Sequence, residues 1–148
     1  MRVDVVVIGA GPAGSAAAIV AARSGRSVLV VDRATFPRDK CCGDGLTALA
    51  LRLCEQLGLD HARLANWQAV DDVVLHPPSG RSRRFPLPEG SGQYAAIVPR
   101  AEFDAALLDL ARGAGADVRT GCGLTGIRVA DGVASLDVDG IGTVEAAA

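Results

Sequence analysis

Apolar positions come first as a short run. "VDVVVIG" (3–9) is β-branched and nearly continuous after Asp4. An unbroken run without alternation predicts a strand buried on both faces of a parallel sheet. "GAGPAG" follows, then "SAAAIVAARSG" (15–25), a helix closed by Gly25, and "RSVLVVD" (26–32), a second buried strand. A loop (33–44) leads into an apolar helical stretch, "LTALALRLCEQLGL" (46–59). Segment 69–88 reads as two strands about a "PPSG" turn, and "QYAAIVPR" (93–100) as another strand. In "AEFDAALLDLARGAGA" (101–116), Phe103, Leu107, Leu108 and Ala111 fall on one helical face, and Gly113 or Gly115 ends the helix. "DVRTG" reads as the next parallel strand. The alternating tail (124–146) predicts three short strands with hairpin turns at Asp131-Gly132 and Asp139-Gly140.

The unit of strand, glycine turn, helix, strand and acid matches the dinucleotide-binding βαβ fingerprint, with Gly9, Gly11 and Gly14 as its glycines. Gly9 permits the tight turn out of the strand. Gly11 lets the backbone approach a pyrophosphate, and Gly14 lets the helix pack closely on the sheet. Pro12 suits a first helical turn, and Ala13 lies in that same turn, whose N–H groups and dipole attract phosphate. Asp32 lies 18 residues after Gly14 and ends the second strand. There its carboxylate can accept from ribose hydroxyls, and it would repel a 2′-phosphate, which argues against NADP in this pocket.

Charge and composition narrow the field. A chain of 148 residues, 49% hydrophobic and 22% charged, is one globular domain's worth. A net charge of −2 supplies no basic field for a polyanion, so nucleic acid is excluded as a partner; "RSRR" (81–84) is a solvated run. Cys41, Cys42, Cys54 and Cys122 show no Cys-x-x-Cys spacing and no zinc pattern, so no metal site is expected. They read as reduced thiols, consistent with a cytoplasmic protein. The apolar run from Val5 to Ala22 is neither signal peptide nor membrane span, because Gly9, Gly11, Pro12 and Gly14 interrupt it. His61 and His76 are expected at the surface, and Trp67 and Tyr94 in strand or loop packing.

The loop "FPRDKCCGDGL" (36–46) sets charges, thiols and glycines side by side. Together with "DVVVIGAGPAGSAAA" and "VPRAEFDAALLDLARGAGADVRTG", it resembles the FAD-binding part of the geranylgeranyl reductase family. That family belongs to a larger class of flavoproteins that includes aromatic hydroxylases and flavin halogenases. The Lys40–Cys42–Gly43–Asp44–Gly45 stretch is its specific part; Arg100 to Asp104 is shared by the hydroxylase-like class. The resemblance implies an α/β, Rossmann-like FAD-binding fold with a central parallel sheet, a β-meander and the start of a second antiparallel sheet.

FAD is the implied cofactor. The resemblance implies that Cys42, Gly43, Asp44 and Gly45 come near the flavin ring and ribityl chain, with Asp44 either capping the next helix or touching the cofactor. Cys42 either faces the flavin or substrate, or is a small packing residue. Arg38 and Lys40 either neutralise phosphate or hold the loop. Arg100, just before its helix, is carried over as a contact near the FAD phosphates, against a plain surface arginine paired with Glu102 or Asp104. Arg33 follows the ribose-binding Asp32, and the backbone around Leu124 is placed near the adenine.

The family's later Gly-Asp motif and substrate domain are not found in this chain. Residues 1–148 are therefore expected to be the FAD-binding domain of a longer flavoprotein, inactive alone, with 69–98 as the possible beginning of the substrate domain. The resemblance implies reduction of isolated double bonds in geranylgeranyl or other prenyl chains, with NAD(P)H or a ferredoxin-like donor. The substrate would be a prenyl lipid or a small molecule, and a prenyl substrate implies transient, peripheral membrane contact. A flavin monooxygenase (hydroxylase or halogenase) and a non-catalytic nucleotide-binding module are the alternatives.

Overall fold

The computed structural model describes residues 1–88 and 92–147. Residues 89–91, inside the segment expected to begin a second domain, and Ala148 lie outside the described residues. Strands β1 (Val5–Ile8), β2 (Val28–Asp32) and β8 (Asp117–Thr120) form a parallel sheet in the order β1-β2-β8. Helix α1 (Pro12–Arg23) makes the crossover between the first two strands, and α3 (Arg100–Gly113) leads into the third.

β2 is the central strand, and its side chains divide by parity. Val28 and Val30 pack with Ala18 and Ile19 of α1 and with Leu108 and Ala111 of α3. Leu29 and Val31 face the opposite layer and pack with Leu136, Val138 and Val144. Those residues belong to a meander of β9 (Leu124–Ala130), β10 (Val133–Val138) and β11 (Gly142–Ala147), ordered β11-β10-β9. Helices on one face and a meander on the other explain why β2 shows no polar alternation. Gly25, Gly115, Gly132 and Gly140 all adopt positive φ, where the helix and hairpin ends were expected.

A second, antiparallel region holds α2 (Ala48–Gln56), a 3-10 turn at His61–Arg63, and the sheet of β3 (Gly45–Thr47), β7 (Ala95–Ile97) and β4 (Gln68–Ala69). The hairpin β5 (Asp72–Leu75) and β6 (Arg83–Pro86) stands apart, paired from Asp72↔Pro86 to Leu75↔Arg83.

Two expectations change here. The helix expected from residue 46 begins at Ala48, because Gly45–Thr47 pair with β7 instead. Thr47, not Asp44, caps it, accepting from Ala50 N at 3.4 Å. Asp44 has φ 55, and its carbonyl accepts from Val98 N at 3.0 Å.

The histidines also have neighbours. His61 stacks on Trp67 with centroids 5.2 Å apart, and His76 Nδ1 lies 2.6 Å from Ser82 Oγ. All four cysteines are free, and among the described residues no cluster could hold a metal ion. Among them, too, no helix is long and apolar enough to cross a membrane.

Candidate cofactor site

The site lies beyond the carboxyl ends of β1 and β2, where open α/β sheets bind ligands. β1 turns sharply after Ile8. Gly9 has φ 98 and donates to Val31 O at 2.8 Å, a conformation that a side chain would strain. Helix α1 then packs so closely on this turn that a Cβ on Gly14 would lie 1.8 Å from the Gly9 carbonyl oxygen and 3.1 Å from Val7. Buried Ser15 ties the two together, donating to Ala10 O at 3.1 Å.

Gly11 differs. It sits at the N-terminus of α1 in extended geometry, followed by Pro12, with no side-chain cap over the helix end. A Cβ here would meet only arginine tips, Arg38 Nη2 at 3.6 Å and Arg100 Nη2 at 3.9 Å. Nothing in the chain forbids a methyl group at Gly11. The glycine leaves open the space between a helix N-terminus and two guanidinium groups, which suits an anion.

Both guanidinium groups are held by Asp104, which is fully buried. Arg100 binds it in a fork, Nε to Oδ1 at 2.7 Å and Nη2 to Oδ2 at 2.8 Å. Arg38 Nη1 lies 2.8 Å from Oδ2, and its guanidinium sits over the Phe36 ring at 4.8 Å. The carboxylate holds the Arg100 guanidinium well above its ordinary pKa. Arg100 is thus the first residue of α3 rather than a residue before it, and a mostly buried ion-pair member rather than a surface arginine. Glu102 accepts instead from the backbone of Ala65 and Asn66.

Asp32 marks the other end. Its Oδ2 accepts from Ala10 N and its Oδ1 from Ala34 N, both at 2.8 Å, so the acid fastens the glycine turn to the strand end. A carboxylate has further lone-pair capacity for ligand hydroxyls. Gly9, Asp32, Arg33 and Leu124 line a cavity of about 310 Å3 together with Ile8, Val31, Cys122 and Gly123. Cys122 and Gly123 were missed in the sequence, because the turn after β8 reaches this site only through its pairing with β2. Its anchor is Cys122 N donating to Asp32 O at 2.9 Å.

A second cavity of about 370 Å3 is lined by Pro12, Ala13, Cys42, Asp44, Gly45 and Arg100. Its other walls are apolar, including Ala16, Leu46, Ala50, Leu53, Leu57, Phe103 and Leu107. Phe103 and Leu107, expected in the core, are buried at its base. Gly43 sits on the exposed loop and lines neither cavity. Cys42 is exposed, and its thiol pKa is lowered by the Asp44 backbone N–H and by Arg100. The twelve remaining residues picked from the sequence thus follow one another from the Asp32 cavity, past the Gly11 turn, to the Cys42 cavity. Asp104 was missed as a site residue, although its i,i+4 spacing from Arg100 on a helix was a signal for the pair.

A dinucleotide with a central diphosphate fits this arrangement: a carboxylate at one end, an open glycine turn under paired arginines in the middle, and an apolar cavity at the other. Residues 2–136 match the family model described as an FAD binding domain. The chain belongs to that family, and its cofactor is FAD.

The curated relatives that the chain matches include reductases. A menaquinone reductase of Mycolicibacterium smegmatis is 44% identical over 126 residues, covering 81% of this chain and 29% of the relative. Digeranylgeranylglycerophospholipid reductase 2 of Methanopyrus kandleri is 36% identical over 124 residues, covering 80% and 28%. The chain therefore spans less than a third of the length of these curated relatives.

Three solved structures share the fold over 99% of the chain. A flavoprotein/dehydrogenase from Cytophaga hutchinsonii superposes with TM-score 0.85 at 30% identity, covering 38% of that protein. A geranylgeranyl bacteriochlorophyll reductase-like protein from Thermoplasma acidophilum gives 0.82 at 25%, covering 37%. The myxobacterial chondrochloren halogenase, an FAD-dependent halogenase, gives 0.85 at 27%, covering 36%.

Proposed function

We propose that this chain is the FAD-binding part of a reductase that saturates isolated double bonds in the isoprenoid chain of a lipid or quinone. The observation that carries the reading is the Cys42–Gly45 loop beside a cavity whose remaining walls, Arg100 apart, are apolar. An aliphatic chain offers only apolar contacts, so walls of this kind suit it. The two curated relatives above support the same substrate class, since menaquinone and digeranylgeranylglycerophospholipid both carry isoprenoid chains.

When bound and reduced by an electron donor, the flavin would supply a hydride for one carbon of the double bond, and a proton would go to the other. The residues of this chain bind and orient. Gly11, Pro12 and Ala13 at the start of α1 offer the diphosphate a close backbone approach, with Arg100 opposite, while Gly9 makes the turn and Gly14 lets the helix pack on it. Asp32 accepts from the adenosine ribose hydroxyls, and Arg33 and Leu124 flank that end. Cys42, Asp44 and Gly45 border the flavin end, and Gly43 lies in the same loop outside the cavity.

NAD(P)H or a ferredoxin-like protein is the proposed electron donor, and a polyprenyl substrate implies transient contact with a membrane surface. Residues 1–148 form the cofactor-binding domain, with 69–98 beginning the substrate-binding part. No turnover is expected from this domain alone.

The halogenase neighbour favours a second reading, oxygen-dependent monooxygenation or halogenation of a small molecule. The two separate in one experiment on the flavoenzyme that carries this domain. Reduced enzyme is mixed with a polyprenyl quinone without oxygen, and the product is weighed by mass spectrometry. Gain of one H2 per double bond supports the reductase. A product that forms only with oxygen, and gains oxygen or halogen, replaces it.

A further inference from the structure

We propose that Cys41 and Cys42 form a reversible thiol-oxidation site, in which a hydroperoxide oxidises Cys42 and Cys41 closes a disulfide with it. The chemistry needs only the protein's own thiols and is independent of the substrate.

Two thiols stand side by side on one exposed loop, while Cys54 is buried and Cys122 half-buried. The pair is not symmetric. Asp44 has φ 55, and its N–H donates back to the Cys42 sulfur. The Arg100 guanidinium, fixed by its fork on Asp104, donates to the same sulfur from α3. A backbone donor and a cation together favour the Cys42 thiolate, the form that attacks a peroxide; the nearby Asp44 carboxylate opposes them more weakly. The Cys41 sulfur has no hydrogen bond or ion pair among the described residues.

The Cys42 thiolate attacks one oxygen of the hydroperoxide. The O–O bond breaks, leaving a sulfenic acid on Cys42 and an alkoxide or hydroxide that takes up a proton. Cys41 gives up its proton and attacks the Cys42 sulfur. An S–S bond forms, and the S–O bond breaks to release water. Two electrons thus pass from the sulfurs to the peroxide. Adjacent Cα atoms are about 3.8 Å apart, closer than an unstrained disulfide prefers. The bridge is therefore strained and easily reduced, as labile bridges are and structural ones are not. Cys42 lines the cavity that Arg100 also lines, so closing the ring moves a sulfur in its wall.

The test exposes the full chain to hydrogen peroxide, alkylates it with iodoacetamide and maps its tryptic peptides. Cleavage after Lys40 and Arg52 puts both thiols in peptide 41–52 and Cys54 in peptide 53–63. The expected product is peptide 41–52 lighter by two hydrogens and free of alkyl groups, with both thiols regained after glutathione. In Cys41→Ser, Cys42 should stop at the sulfenic acid and give a dimedone adduct. In Cys42→Ser, Cys41 should oxidise about tenfold or more slower than Cys42 does in the wild type.

Peptide 41–52 that keeps both alkyl groups after peroxide, or gains oxygen without a bridge, overturns the proposal. So does a bridge to Cys54, which appears as peptide 41–52 joined to 53–63, or a bridge to a second copy of the chain. A bridge that glutathione leaves closed removes the reversible site. Equal oxidation rates in the two serine variants remove the order of attack. The wild-type peptide decides even if a variant does not fold.

Discussion

Gly11 and Gly14 sit three residues apart and answer to different demands. A Cβ on Gly14 collides with the Gly9 carbonyl at 1.8 Å, so Gly14→Ala must push α1 off the turn. Overpacking of this kind costs about 1–3 kcal/mol, read as a lower urea midpoint. Gly11 meets ordinary contacts in an ordinary conformation. Gly11→Ala should therefore change stability by about 1 kcal/mol or less while weakening FAD binding sharply. Equal stability losses in the two variants would show that Gly11 serves the fold.

Cys42 yields a pH prediction. The Asp44 N–H and Arg100 favour its thiolate, so alkylation by iodoacetamide should rise with pH at a midpoint below that of an ordinary thiol. Cys54, whose thiol burial pushes up, should react last. Peptide mapping across a pH series checks the order, and Arg100→Ala should move the Cys42 midpoint upward.

Helix α2 shows how a neighbour in space redraws an element. The apolar stretch 46–59 predicts a helix, and most of it is one, but Gly45–Thr47 are taken by β7, some fifty residues later in the chain. Three residues of a strand carry too little alternation to announce a partner that distant. Moving the start to Ala48 also moves the cap from Asp44 to Thr47, and leaves Asp44 in the left-handed region that Asp tolerates better than most residues. Thr47→Ala should cost about 0.5–1 kcal/mol, in the lower part of the range for a lost cap because the 3.4 Å bond is long. Chemical denaturation measures it. Asp44→Ala should not mimic it through the helix.

The molecule divides into a three-layer region, with a parallel sheet between helices and meander, and a smaller antiparallel region that holds the Cys42 loop. The Arg38–Asp104–Arg100 cluster joins α3 to the loop after β2. Removing the shared carboxylate leaves two arginines facing each other in a mostly buried place. Asp104→Ala should therefore destabilise by about 3–5 kcal/mol, against much less for the exposed pair Arg63–Asp60. Thermal unfolding with and without FAD checks both this and the cofactor, since a ligand bound only by the folded state raises the melting temperature with its concentration. Val73, Leu75 and Phe85 stay exposed on one face of the β5–β6 hairpin. Apolar side chains grouped in this way favour association. Leu75→Lys should reduce self-association in analytical ultracentrifugation without lowering the melting temperature.

The βαβ unit and its glycines were legible because their causes are local. A tight turn needs positive φ at Gly9, a close-packed helix needs Gly14, and a strand covered on both faces needs unbroken Val and Leu. The meander was legible too, since its turns are set by Asp131-Gly132 and Asp139-Gly140 beside alternating strands. What could not be read locally is who shares a carboxylate. Arg38 and Asp104 are 66 positions apart, and Cys122 meets Asp32 across 90. Charge and spacing named the candidate residues. Packing of α3 against the sheet, a sum over many weak contacts, chose the partners that aim them.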